Sequence, residues 1–286
     1  MSLLNSVNTN IGAMIALESL NNTNTQLAAA QKQVSTGYRV ADSTDDGAAY
    51  AIAQNVRSTV GALTSANQQL GNVQGLLSTT QTSMNNISNT MASMRDVLVK
   101  LADSSVTSTD RTNYIAQYNS LLSNVKTFVE DANYNGKTLI GDITGSSGTF
   151  ARVAVVRNES GASYAIATYS GSALYVSIAY TSTQLGAATT VQGLIGTATT
   201  ASFMNKMNSA NNELNTIGAA QNYVSNQVTY NSDKIDALNS GVGALVDADL
   251  AQESAQLQAL QIRQQLGTQA LSLANQAPQT LLSLFK

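Results

Sequence analysis

Cysteine, histidine and tryptophan are absent from this 286-residue chain, and proline occurs once. Without His or Cys there is no zinc site of the usual kinds, no Ser–His–Asp or Cys–His pair, and no disulfide framework. A catalytic metal would have to be held by carboxylates alone, and neither a metal nor a cofactor site is expected. Charge is scarce as well. Charged residues make up 11% of the chain, against about 25% in ordinary soluble domains. A net charge of -3 argues against nucleic acid as a partner, since phosphate binding draws on clustered Lys and Arg. No stretch approaches the ~18 apolar residues of a membrane span, so no membrane partner is expected. The start, Met1 to Asn8, has neither a basic run nor an apolar core. It does not read as a secretory signal, and any export is expected to proceed without cleavage.

In place of charge the chain carries amides, 28 Asn and 22 Gln, with 43% hydrophobic residues. The apolar residues are ordered. Val56, Val60, Leu63, Asn67, Leu70, Gln74, Leu77, Gln81, Met84, Ile87, Met91, Met94, Leu98 and Leu101 step by three or four throughout, a heptad seam with polar residues at Asn67, Gln74 and Gln81. At 1.5 Å per residue such a helix is roughly 70 Å long and needs long partners. Tyr114, Tyr118, Leu121, Val125 and Phe128 form another stripe, capped ahead by Ser108, Thr109 and Asp110 and stopped at the turn Asn133-Tyr134-Asn135-Gly136. Ile217, Gln221, Val224, Val228, Asn231, Ile235, Leu238, Val242 and Leu245 make a third. Asp42, Asp45 and Asp46 lack the spacing of a calcium loop and are expected to cap the helix that follows.

The middle differs. Phe150–Val155, Tyr164–Tyr169 and Leu174–Tyr180 read as short strands, separated by turns at Glu159-Ser160-Gly161 and Ser170-Gly171-Ser172. The fold class expected is therefore mainly α, a long antiparallel helical bundle or coiled-coil rod carrying a small β-hairpin insert.

Both ends are amphipathic. Val7, Ile11, Met14, Leu17, Leu20 and Leu27 form an apolar stripe near the N-terminus. Leu250, Leu257, Leu260, Leu271, Leu281 and Phe285 belong to one near the C-terminus, whose 3–4 step carries through Pro278. At that proline the helix either kinks or gives way to separate last turns, or it continues, the reading preferred because Leu281 and Phe285 keep the seam. Between Asp249 and Lys286 the only charged side chains are Glu253 and Arg263. Stripes this apolar are expected to find cover, either in each other or in copies of the same chain. These twelve residues are the candidate self-assembly residues.

At these two ends the sequence resembles a bacterial flagellin. The resemblance is carried by Asn8-Thr9-Asn10, by Ser35-Thr36-Gly37-Tyr38-Arg39-Val40 with the following Ala41 to Ala53, and by Val246-Asp247-Ala248-Asp249-Leu250-Ala251-Gln252-Glu253-Ser254. It continues through Gln264-Gln265-Leu266-Gly267-Thr268-Gln269-Ala270 and Ala274-Asn275-Gln276-Ala277-Pro278-Gln279. It covers residues 1–140 and 190–286. The resemblance implies five regions: an N-terminal polymerisation helix over 1–45, N-terminal rod helices over 46–140, a small β-rich variable insert over 141–190, a C-terminal rod helix over 191–245, and a C-terminal polymerisation helix over 246–286. It implies a structural protomer, secreted to the cell exterior, that assembles through its terminal helices into the helical flagellar filament for swimming. A minor filament component or a hook–filament junction protein is the alternative. The partners implied are copies of the same chain, a secretion chaperone, and junction and cap proteins. Ser93 to Leu101 lies where some flagellins carry a patch recognised by an animal immune receptor; Arg95 matches, its flanks do not, and recognition is not expected. Nor is enzymatic activity, since the metallopeptidase insert found in some flagellins needs His-Glu-x-x-His.

Overall fold

The computed structural model describes residues 9–141, 143, 149–196 and 202–284, with backbone alone for residue 149 and residues 277–284. In order, the elements are α1 (Ile11–Thr36), α2 (Gly47–Leu101), α3 (Ser108–Glu130), β1 (Lys137–Thr138), β2 (Thr149–Phe150), β3 (Val153–Val156), β4 (Ser163–Ile166), α4 (Gly171–Ile178), α5 (Ser182–Gly186), α6 (Ala188–Ile195), α7 (Phe203–Val246) and α8 (Leu250–Leu284). They group into two compact units, one formed by residues 60–235 and the other by residues 1–59 and 236–286.

The unit of residues 60–235 is a helical bundle built on the heptad seam. Leu63, Leu70, Leu77, Met84, Ile87, Met91, Met94, Leu98 and Leu101 are all fully buried. Facing them are Ile217 and Val224 of α7 and Tyr118, Leu122, Val125 and Val129 of α3. The α3 stripe is rotated slightly from the expected one, with Leu121 and Phe128 only half-buried. Its cap is Thr107 rather than Ser108: the Thr107 hydroxyl accepts from the Asp110 N–H and donates to the Asp110 carboxylate. Ser88 bonds to Asn211, and Asn67 to both Asn231 and Ser232, so α2 and α7 run antiparallel. Asn231 is fully buried and satisfied, donating to Asn67 and to the Arg157 carbonyl while accepting from Gln227. A buried amide with every partner in place fixes register, since any slip leaves it unpaired.

Of the three expected strands the structure keeps two and replaces the third. β3 and β4 pair antiparallel, Val153 opposite Ile166 and Val156 opposite Ser163, and β1 pairs with β2 in parallel. The strand expected over Leu174–Tyr180 is instead helix α4. Leu174, Val176 and Ile178 alternate as a strand would, but a strand would turn all three to one side. Here Leu174 and Ile178 are buried while Val176 is 68% exposed, the four-residue repeat of a helix. The expected turn at Ser170 is its N-cap, with the hydroxyl accepting from the Ala173 N–H. The turn after α3 forms as expected: Asn135 and Gly136 both have positive φ, the conformation a two-residue hairpin requires.

Arg111 closes this unit. Its guanidinium donates to the carbonyls of Leu101, Asp103 and Leu185, which satisfies the end of α2 and ties it to α5. Replacing it by Met keeps the stem and strands those acceptors. Arg111→Met is expected to lower the stability of the bundle by about 1–3 kcal/mol, read as a lower urea midpoint with unchanged slope.

Candidate functional site: the paired terminal helices

The second unit positions the two ends of the chain. Its small core holds Val40, Ala49, Ala53, Val242 and Val246. Two loops are stitched together beside it. Arg39 and Val40 donate backbone N–H groups to the Val246 carbonyl, Ala248 donates to Gly37, and the Arg39 guanidinium reaches the Leu245 carbonyl. The Arg57 guanidinium lies 5.8 Å from the centre of the Tyr38 ring. The segment Gly37 to Val40 therefore joins the loop after α1 to the loop after α7.

Each loop also caps the helix that leaves it. The Asp46 carboxylate accepts from the Ala48 and Ala49 N–H groups at the start of α2, and Asp249 accepts from Ala251 and Gln252 at the start of α8. Asp42 and Asp45 do something else. Both bind Lys32 of α1, at 2.7 and 2.8 Å. The Lys32 ammonium holds both carboxyls below the usual range, with the Thr44 hydroxyl and N–H adding to the effect on Asp42 and the Ala41 and Asp42 N–H groups to that on Asp45. The Lys32 amine is raised in turn, first by Asp42 and then by Asp45.

Lowered carboxyls stabilise the folded corner above their unfolded values near ~4, and that contribution is lost as pH falls through their folded values. The raised amine contributes below its unfolded value near ~10.4 and is lost as pH rises past its folded one. The corner is thus held by its charges from weakly acidic to weakly basic pH. In Lys32→Met, the side-chain carboxyl signals of Asp42 and Asp45 are expected to titrate at higher pH than in the parent chain, checked by NMR.

From this corner α1 and α8 pack along one another. Thr23, Ala30 and Leu260 are buried between them, with Leu20, Leu27, Leu257 and Leu271 half-buried along the same seam, while Ile11 is half-buried beside Met14 and Leu17 on another side of α1. Gly267 makes room for Leu20: a Cβ there would lie 3.2 Å from Leu20 Cδ1. Gln264 donates to Asn24. Further along, Asn10 serves both helices. Its side-chain oxygen accepts from the Ala13 N–H, capping α1, while its Nδ2 donates to the Ala274 carbonyl at 2.7 Å. That carbonyl is the one an ordinary helix would bond to the N–H of residue 278, which is proline. α8 continues through Pro278 as expected, and Asn10 takes up the acceptor the proline leaves. Asn10→Ala is expected to cost about 1–2 kcal/mol of local stability, read as faster amide exchange in the first turns of α1 with the bundle unchanged.

The seam uses only part of the apolar surface. Met14 is 62% exposed and Leu17 48%, and Leu250 is 50% exposed. Ile15, Ile262, Leu266 and Leu273, absent from the expected stripes, are exposed as well, Leu273 by 70%. Ile262, Leu266 and Leu273 follow steps of four and seven, so α8 carries a second apolar stripe on the side turned away from the seam. That spacing was available in the sequence and was masked by the more continuous first stripe. Val7 and Phe285 lie outside the described residues, as does the side chain of Leu281. Among the described residues no cluster of His, Cys, Asp or Glu could hold a metal ion, and no helix is long and apolar enough to cross a membrane. What this surface can do chemically is bury apolar area against another surface.

Comparison with known proteins gives a coherent result. The family description "Bacterial flagellin N-terminal helical region" matches residues 7–144, and "Bacterial flagellin C-terminal helical region" matches residues 195–285. The chain is 32% identical to the flagellin FljM of Caulobacter vibrioides, with 99% of each chain covered. It is equally 32% identical to a flagellin of Brucella melitensis, covering 98% of this chain and 99% of that one. In fold it resembles a flagellar hook-associated protein of Vibrio parahaemolyticus, with a TM-score of 0.59 at 16% identity over 71% of this chain and 100% of the other. With both helical regions matched and relatives aligned from end to end, the chain belongs to the bacterial flagellin family, the structural proteins of the flagellar filament.

Proposed function

We propose that this chain is a principal subunit of a flagellar filament and polymerises with copies of itself through the outward face of the α1/α8 pair. The observation that carries this reading is the second apolar stripe. A helix with one stripe needs one partner, and α8, with its seam against α1 and with Ile262, Leu266 and Leu273 exposed, needs two. Burying the outer stripe contributes roughly 25 cal/mol per Å² of apolar area. A surface that meets a different surface on the next copy propagates as an open helical array. Ile11, Met14, Leu17, Leu20, Leu27, Leu250, Leu257, Leu260 and Leu271, with Val7, Leu281 and Phe285, act in assembly in two ways. Those at the seam shape the pair, and those facing outward make the contact.

The five regions of the resemblance map onto this reading, with the terminal helices polymerising and residues 141–190 forming the variable insert. The protein works outside the cell and meets an export chaperone and junction and cap proteins on the way. It has no catalytic role, in keeping with a chain that lacks His and Cys. Electron microscopy of the purified protein tests the proposal. Long helical filaments at raised concentration are expected, and their absence under all conditions would overturn it. Abundance in sheared filaments separates a principal subunit from a minor or junction one.

A further inference from the structure

Charge is so scarce on the terminal helix pair that each instance can be followed. Among the described residues α1 carries Glu18 and Lys32, and α8 carries Glu253 and Arg263. Lys32 is committed to Asp42 and Asp45, and Glu253 is half-buried. Glu18 and Arg263 are both exposed, and neither has an ionic partner among the described residues. Yet both line the same groove of about 330 Å³, with Ile15 and Asn22. They are offset along it. Gln264, next to Arg263, bonds to Asn24, six residues from Glu18, a displacement of about 9 Å along the helix at 1.5 Å per residue.

The surroundings make these two charges consequential. Ile15, 62% exposed, lines the groove itself, and Met14, also 62% exposed, lines an adjoining hollow with Ile15 and Glu18. If this face is buried by another copy, a lone carboxylate or guanidinium carried into it loses its water and gains nothing, which is strongly unfavourable. A groove holding one anion and one cation, displaced along its length, is complementary to a second copy shifted along the same axis. We propose that Glu18 of one copy pairs with Arg263 of the next, and that this ion pair sets the register between copies. The inference rests on the reading that the outward face of the pair is the assembly surface. Apolar stripes and amides tolerate sliding; one opposite-charge pair, with like charges opposed in shifted registers, does not. Arginine suits the task because its guanidinium can grip a carboxylate with two parallel hydrogen bonds.

The test uses the full chain with Glu18→Arg, with Arg263→Glu, with both, and with the two single variants mixed in equal amounts. The critical concentration for filament growth is read by sedimentation and the product by electron microscopy. Each single variant alone is expected to raise the critical concentration by about tenfold or more, because it opposes like charges between copies. The equal mixture should assemble near the parent concentration and incorporate the two variants one to one whatever the input ratio, since each supplies the charge the other lacks. That rescue also shows that both variants are folded. Single variants that assemble as the parent does would overturn the proposal. So would recovery in the double variant without recovery in the mixture, which would place the pair within one chain, and so would failure of both. A parent chain that never assembles would instead defeat the reading on which the proposal rests.

Discussion

A chain ending at Asp249 will stay monomeric at concentrations where the full chain forms filaments, and it will lose more helix than the part removed. α8 has 35 residues and α1 has 26. Deleting α8 uncovers Leu20, Thr23, Leu27 and Ala30, which face it across the seam. Leu20 and Leu27 are half-buried, so each gives up part of the about 1.5–3 kcal/mol that a fully buried side chain of that size contributes. An isolated helix of this length, rich in Asn, Gln and Thr, is marginal in water, so α1 is expected to melt with its partner gone. The bundle is a different matter. Its core runs from Leu70 to Val224 and includes no residue beyond Asp249, so its thermal transition should stay where it was. Circular dichroism gives the helix loss and sedimentation the assembly state. Filaments from the shortened chain, or an α1 that stays helical without α8, would contradict the account.

The second large effect separates the two faces of α8. Leu266 is 58% exposed and Leu260 is 3% exposed, although they are only six residues apart. Leu266→Asp should leave the monomer within about 0.5 kcal/mol of the parent, as exposed substitutions do. It should nevertheless abolish assembly, because the new carboxylate would be buried without a partner in the filament. Leu260→Asp puts the same charge inside the seam and should undo both the α1/α8 pairing and assembly. If filaments of the Leu266 variant grew as the parent's do, the outward stripe could not be the contact.

These contrasts also show which parts of the molecule could be read before the structure. The bundle was legible because its signal is long: from Leu63 to Leu101 the heptad residues of α2 are buried wherever they are apolar, and the polar exceptions Asn67, Gln74 and Gln81 are half-buried. Asn231 was recognisable as a seam position, but its bond to the Arg157 carbonyl joins residues 74 apart and has no local signature. Short elements were harder. Over Leu174–Ile178 the apolar residues fit a two-residue repeat, and only the burial of Leu174 and Ile178 against an exposed Val176 distinguishes helix from strand. The candidate assembly residues were found on the stripe with the fewest interruptions, and on α8 three of them, Leu257, Leu260 and Leu271, lie on the seam. The outward residues Ile262, Leu266 and Leu273 follow a helical spacing too, but a sequence does not say which of two apolar stripes a neighbouring helix will cover. Pro278 gave a helix with an acceptor to spare; that Asn10 fills it depends on how the two ends of the chain meet.

The central claim is that the outer face of the α1/α8 pair is open in the monomer and closed in the filament. Hydroxyl-radical footprinting of Met14, Leu17, Ile262, Leu266 and Leu273, read by mass spectrometry on both forms of the same preparation, addresses it directly. Strong labelling of all five in the monomer and marked protection in the filament is the result predicted. Equal labelling of these side chains in the two forms would contradict it.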